Sequence, residues 1–240
     1  MILGAEEAVT GTEYFAPLVF GGNRSFVAEA EALESAARIG SHLFFEHASE
    51  NSDALRLWAS QEAVVTNPFS QILFLTLSKI RNVHVRALLL PVIVGEHGKF
   101  SNDRAGTSHP WLIWELCRSL GIGDAPIVPT RAVRDFVLTL EKAVCNPMRA
   151  LGALGIGNEL MLISEYAAIE RCFDRLFPEA KYKAFLDGNI REDEVHTQLI
   201  ERAAVALANM GEDPREFVEG ARLGVEARVT YYDALLREIV

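Results

Sequence analysis

The sequence predicts an all-α protein in a single domain, a bundle of about seven to nine helices. Three observations predict it. Apolar residues recur at helical spacing through most of the chain, while alternating period-two runs bounded by turn residues are scarce. Breakers fall between the helical segments rather than inside them. No repeat, low-complexity tract or composition shift marks a linker, and half of the 240 residues are hydrophobic, enough for one sizeable core.

Taken in order, residues 1–24 are Gly-rich and weakly periodic and read as an N-terminal arm; residues 25–240 read as the helical domain. A first helical stretch covers 25–48. The next two, 52–65 and 68–81, are separated by "TNPF" at 66–69, where Pro68 lacks a backbone donor. A helix over 83–97 is followed by "GKFSNDRAGTS" at 98–108. This is the longest internal connection, and long loops within compact domains are often functional. His109-Pro110 opens the helix 110–121, and "GIGDAPIVP" leads to 129–146. Asn146-Pro147 begins 147–175, "FPEA" precedes 179–209, and "GEDP" precedes 213–239. The last start is the best signalled: Asp213 caps, Pro214 suits the first turn, and Glu216 stands at capping-box distance.

A formal net charge of −10 argues against binding nucleic acid or an anionic membrane through bulk electrostatics. The longest apolar runs, such as "ALLLPVIV" at 87–94, are too short to span a bilayer, and no basic segment precedes an apolar run at the N-terminus. Cys117, Cys145 and Cys172 are an odd number without C-x-x-C spacing, as expected of buried free thiols in a reducing compartment. The expectation is a soluble, cytoplasmic protein with a small-molecule substrate and neither nucleic-acid nor membrane partner; a homodimer is left open.

Ionisable groups on apolar helix faces are where chemistry is sought, because burial is costly unless they are paired or coordinated. In "FLDGNIREDEVHTQLI" (185–200), Asn189, Asp193 and His196 lie within about 60° of one another on a helix. Leu186, Ile190 and Ile200 share that face. Asp193-x-x-His196 is a carboxylate–histidine pair of the kind helical di-metal sites use, and its donors suit iron, manganese or zinc. The competing reading is a solvated acidic face, with Glu192 and Glu194 as neighbours.

Glu159 shares a face with Ile156, Ile163 and Tyr166. It requires a cation or strong donor, either a metal or an arginine from another helix. Glu96 shares a face with Val85, Leu89, Val92 and Ile93, at a helix end whose dipole disfavours an anion. His97 follows directly and His109 begins the next helix, where capping before Pro110 competes with ligation. Brought together, three carboxylates without cations would repel one another, and divalent metal would relieve this.

These pieces resemble the heme-oxygenase-like di-iron oxidases, including their CADD-like group, and through them the thiaminase-II-like helical fold. The likeness runs over about 35–235 and is carried by "SHLFFEHAS…LRLWASQ", "GEHG…SHPWLIWELCRSLGI", "ALGIGNE" and "FLDGNIREDEVH". It implies a single-domain heme-oxygenase-like helical bundle. It implies one or two irons (manganese or zinc being alternatives) with dioxygen as co-substrate, and an oxidase or oxygenase acting on a small molecule. Carried over by position, the ligands are Glu96, His109 (or His97), Glu159, Asp193 and His196. Asn189 stands where the family has a histidine, so one metal is expected to be weakened or absent. Two alternatives stand beside this reading. One is a metal-free, thiaminase-II-like enzyme with Cys145 as the nucleophile. The other is a non-catalytic helical interaction protein that has lost the full metal site.

Overall fold

In the computed structural model, residues 14–97, 108–123 and 126–240 are described. The long connection and most of the arm, singled out above, lie outside those residues. Among the described residues there is no strand, in agreement with the all-α expectation.

The first helical stretch is two helices, α1 (Ser25–Ala37) and α2 (Leu43–Ala48). They are separated by Arg38 in the left-handed region at φ 49° and by a 3₁₀ turn at Ile39–Ser41. The His42 ring caps α2 by accepting from the Phe44 N–H at 3.1 Å.

Ser52–Lys79 forms one helix, α3, which runs straight through Pro68. The expected break at 66–69 is therefore corrected. Pro68 removes one hydrogen bond of the ladder, at a cost of about 3 kcal/mol. Val65, Phe69, Ile72 and Leu73 are buried on either side of it, and their burial offsets that loss at roughly 1.5–3 kcal/mol per side chain. Tertiary packing outweighs the local breaker.

α4 (Val83–His97) and α5 (His109–Ser119) follow, then α6 (Arg131–Ala143) and α7 (Pro147–Leu154). Thr130 and Asn146 cap the last two through their side chains. The expected helix 147–175 is continuous but not uniform. Gly155–Leu160 is a π-helical segment between α7 and α8 (Met161–Leu176). The bundle is completed by α9 (Tyr182–Asn209) and α10 (Pro214–Ile239), whose Asp213 cap accepts from the Arg215 N–H at 3.0 Å.

α10 lies along α7, the π segment, α1 and α6, while α9 packs on α8, α4, α5 and the π segment. The π segment is thus clasped by both long C-terminal helices. It approaches α10 closely because Gly157 faces Gly224; a Cβ on Gly157 would stand 2.6 Å from the Gly224 Cα. No described helix is long and apolar enough to cross a membrane.

Candidate metal centre

Four walls meet inside the bundle. α4 contributes Glu96, α5 His109, the π segment Asn158 and Glu159, and α9 Asn189 and Asp193. Glu62, Thr66 and Phe69 of α3 and Tyr166 of α8 close the remaining side. The cavity measures about 20 Å³. That volume has room for about one water or an ion, and none for an organic substrate.

Every principal candidate is buried: Glu96, His109, Glu159, Asn189, Asp193 and His196 are all at most 4% exposed. His109 Nδ1 is 3.2 Å from Glu96 Oε2, across the join between α4 and α5. His196 Nδ1 is 3.5 Å from Glu159 Oε2 and 3.9 Å from Asp193 Oδ1. Donor atoms of Glu96, Glu159 and His196 all lie within 4.8 Å of one another. The structure thus brings together residues from four separate helical elements.

The electrostatics of this cluster are unbalanced. Neither oxygen of Glu159 and neither of Asp193 has a hydrogen-bond partner, although both side chains are 1% exposed. Buried carboxylates normally accept several hydrogen bonds, and leaving them without costs on the order of 1–3 kcal/mol each or more. Burial raises Asp193 well above the usual carboxylate range, and the neighbouring Glu159 charge raises it further. Burial also opposes ionisation of Glu159, but His196 beside it brings its net shift downward. His109 loses ground to burial yet is pushed up to about 10 by Glu96 and then by Glu192. The pocket is a strongly anionic enclosure in which protons stand in for missing positive charge. The donor set of carboxylate oxygens and imidazole nitrogens is the one that iron, manganese and zinc accept.

Of the two histidines weighed for the Glu96 partner, the structure places His109 at the cavity. His97 is exposed, its ring 6.0 Å from that of Phe74. The arginine alternative for Glu159 is also answered. The one buried arginine among the described residues, Arg228, goes to Glu165 and Glu62 instead. Asn189 faces the cavity, but its Nδ2 donates to the Phe185 carbonyl one turn back at 2.6 Å. Its amide is tied into its own helix and offers at most a neutral oxygen.

Sequence reasoning overlooked three groups. Asn158, buried beside Glu159, has an Oδ1 without a partner. Glu62 lines the cavity and receives hydrogen bonds from Tyr166 and Tyr231 at 3.0 and 3.1 Å. Its place between Trp58, Val65 and Phe69 at helical offsets was the available signal, obscured by the break expected at Pro68. Glu192 is not simply solvated: its side chain is 37% exposed, but its Oε2 is buried 3.6 Å from His109 Nε2. The expectation of three buried thiols is corrected as well. Cys117 and Cys172 are buried, but Cys145 is exposed in the turn between α6 and α7 and does not line the cavity.

A family model described as iron-containing redox enzyme matches residues 56–229, a span that includes all four walls. The chain belongs to the iron-containing redox enzyme family. The fold of this family member is also that of a CADD-like protein of unknown function from Nostoc punctiforme. At 19% identity and a TM-score of 0.73, the match covers 91% of this chain and 100% of that one. A TenA homologue from Pseudomonas syringae pv. tomato matches with a TM-score of 0.69 at 11% identity, over 89% of this chain and 92% of that one. At such identities the likeness establishes a shared all-α helical bundle and nothing about activity. No sequence match is found among curated proteins.

Proposed function

We propose that the protein is a non-heme iron oxidase or oxygenase that uses dioxygen on a small-molecule substrate. One observation carries this reading: the fully buried carboxylates of Glu159 and Asp193 lack hydrogen-bond partners, stand beside His196, and line with His109 and Glu96 a cavity with room for an ion. Family membership supports it.

In this reading Glu96, His109, Glu159, Asp193 and His196 hold the metal. Bound ferrous iron would supply the electrons for reducing dioxygen. The protein's part is to keep the site buried and rich in carboxylates, which favours the more highly charged state of the metal. Tyr166 and Glu62 also line the cavity, where the Tyr166 hydroxyl donates to Glu62; burial and the adjacent carboxylates hold that phenol in its protonated form, a fixed hydrogen bond at the wall. With Asn189 held by the Phe185 carbonyl, the whole set amounts to two imidazoles and three carboxylates, one nitrogen donor short of the pattern the resemblance implies, and only Glu96, Glu159 and His196 bring donor atoms within 4.8 Å of one another. The proposal is therefore one firmly held iron and a second that is weak.

Anaerobic loading with ferrous iron followed by metal analysis tests this. About one iron per chain should remain after desalting, and admission of oxygen should change the optical spectrum. Glu159→Ala and His196→Ala should each abolish retention while leaving the helical content unchanged. Wild-type protein with no iron above background, or variants that load as well as wild type, would sink the proposal.

A further inference from the structure

We infer that Glu192 is a positioning residue for His109, holding the Nε2 side of its ring so that Nδ1 is presented to the carboxylates inside. The inference rests on the metal-binding reading above.

The two rings are oriented alike. His109 turns Nδ1 to Glu96 at 3.2 Å, and His196 turns Nδ1 to Glu159 at 3.5 Å and Asp193 at 3.9 Å. On the opposite edge of the first ring, His109 Nε2 is 3.6 Å from Glu192 Oε2. Gly95 of α4 makes room for both Glu192 and His196: a Cβ there would stand 2.5 Å from His196 Nε2 and 3.0 Å from Glu192 Oε2. Any side chain at position 95 would displace them, so the glycine keeps the crossing point open.

A neutral imidazole can offer the Nδ1 lone pair only when its proton sits on Nε2. A carboxylate beside Nε2 stabilises that tautomer, fixes the ring plane and makes the opposite nitrogen a better donor. Glu192 suits this task. It lies on α9, its side chain is 37% exposed, and its Oε2 is buried facing His109. At 3.6 Å the contact is that of an ion pair, longer than a short hydrogen bond.

Zinc-loaded, ¹⁵N-labelled protein tests the assignment through long-range proton–nitrogen correlation of the histidine rings. His109 should show a metal-bound Nδ1 and a protonated Nε2. Glu192→Ala should weaken zinc binding by about 10–100-fold, whereas Glu192→Gln, which keeps an oxygen acceptor, should restore most of it. Circular dichroism of all three proteins should coincide. Metal on Nε2 of His109, or Glu192→Ala binding as tightly as wild type, overturns the role of Glu192 and leaves the metal site standing. Wild-type protein that takes up no zinc, manganese or iron overturns both.

Discussion

Arg228 and Glu62 are joined by two contacts of 3.0 Å from one guanidinium nitrogen, in a position where Arg228 has no exposure to solvent. The same guanidinium also bonds Glu165, so one buried cation serves two buried carboxylates. Burial raises Glu165, Arg228 opposes this, and the carboxyl ends at about 7. Tyr166 carries the network to the cavity wall.

Replacing Arg228 by leucine should destabilise the protein by about 3–5 kcal/mol, because two buried acids lose their partner. Urea unfolding measures it. Adding Glu62→Gln and Glu165→Gln should recover a good part of the loss, since the neutral amides no longer carry uncompensated charge.

Glu201 on α9 provides a pH signature away from the cavity. Burial, and then the neighbouring Glu31 carboxylate, raise it to about 7, with Arg24 at 3.3 Å opposing. The unfolded chain titrates near 4.3. The folded state therefore binds more protons between those values, and stability falls as pH rises through that window. Glu201→Gln should leave stability near wild type at pH 4 and exceed it by on the order of 1–3 kcal/mol at pH 8. Melting curves at the two pH values decide this, and an unchanged difference would count against it.

Gly157→Ala should cost about 1–3 kcal/mol by overpacking, because the new methyl meets the Gly224 backbone at 2.6 Å. Glu159 lies two residues on, so the same substitution should reduce iron retention even at temperatures where the fold is intact. A variant that retains iron like wild type would separate the crossing from the site.

Asn189→His should add a nitrogen donor on the cavity wall and raise iron retention from about one toward two per chain. Equilibrium dialysis with anaerobic metal analysis reads the stoichiometry. Unaltered loading would mean that the Phe185 carbonyl or the small cavity dictates the count, and not the donor.

The bundle was legible because helical periodicity records which face is buried, and Glu96 illustrates it. Its apolar companions Val85, Leu89, Val92 and Ile93 are the very residues buried with it on α4. The burial of Asp193 and His196 was legible for the same reason. What local pattern could not show is where packing overrides propensity. Pro68 looks like a stop and is the interior of a 28-residue helix. Glu192 looks solvated, and only the three-dimensional crossing with Gly95 and His109 reveals its buried oxygen. Choosing between His97 and His109 depended on how α4 ends and α5 begins, which no periodicity encodes.

The π segment at Gly155–Leu160 has a consequence for how the chain can change in length. A π turn holds one residue more than the α turn it replaces. Deleting one residue there would let the backbone relax to an ordinary helix with α8 still in phase against its neighbours. Glu159, inside the wide turn, would swing by about 100° from the cavity. Loss of a single codon could thus silence the centre while sparing the bundle, and a single inserted codon in a plain helix could place an acid where none had faced the interior.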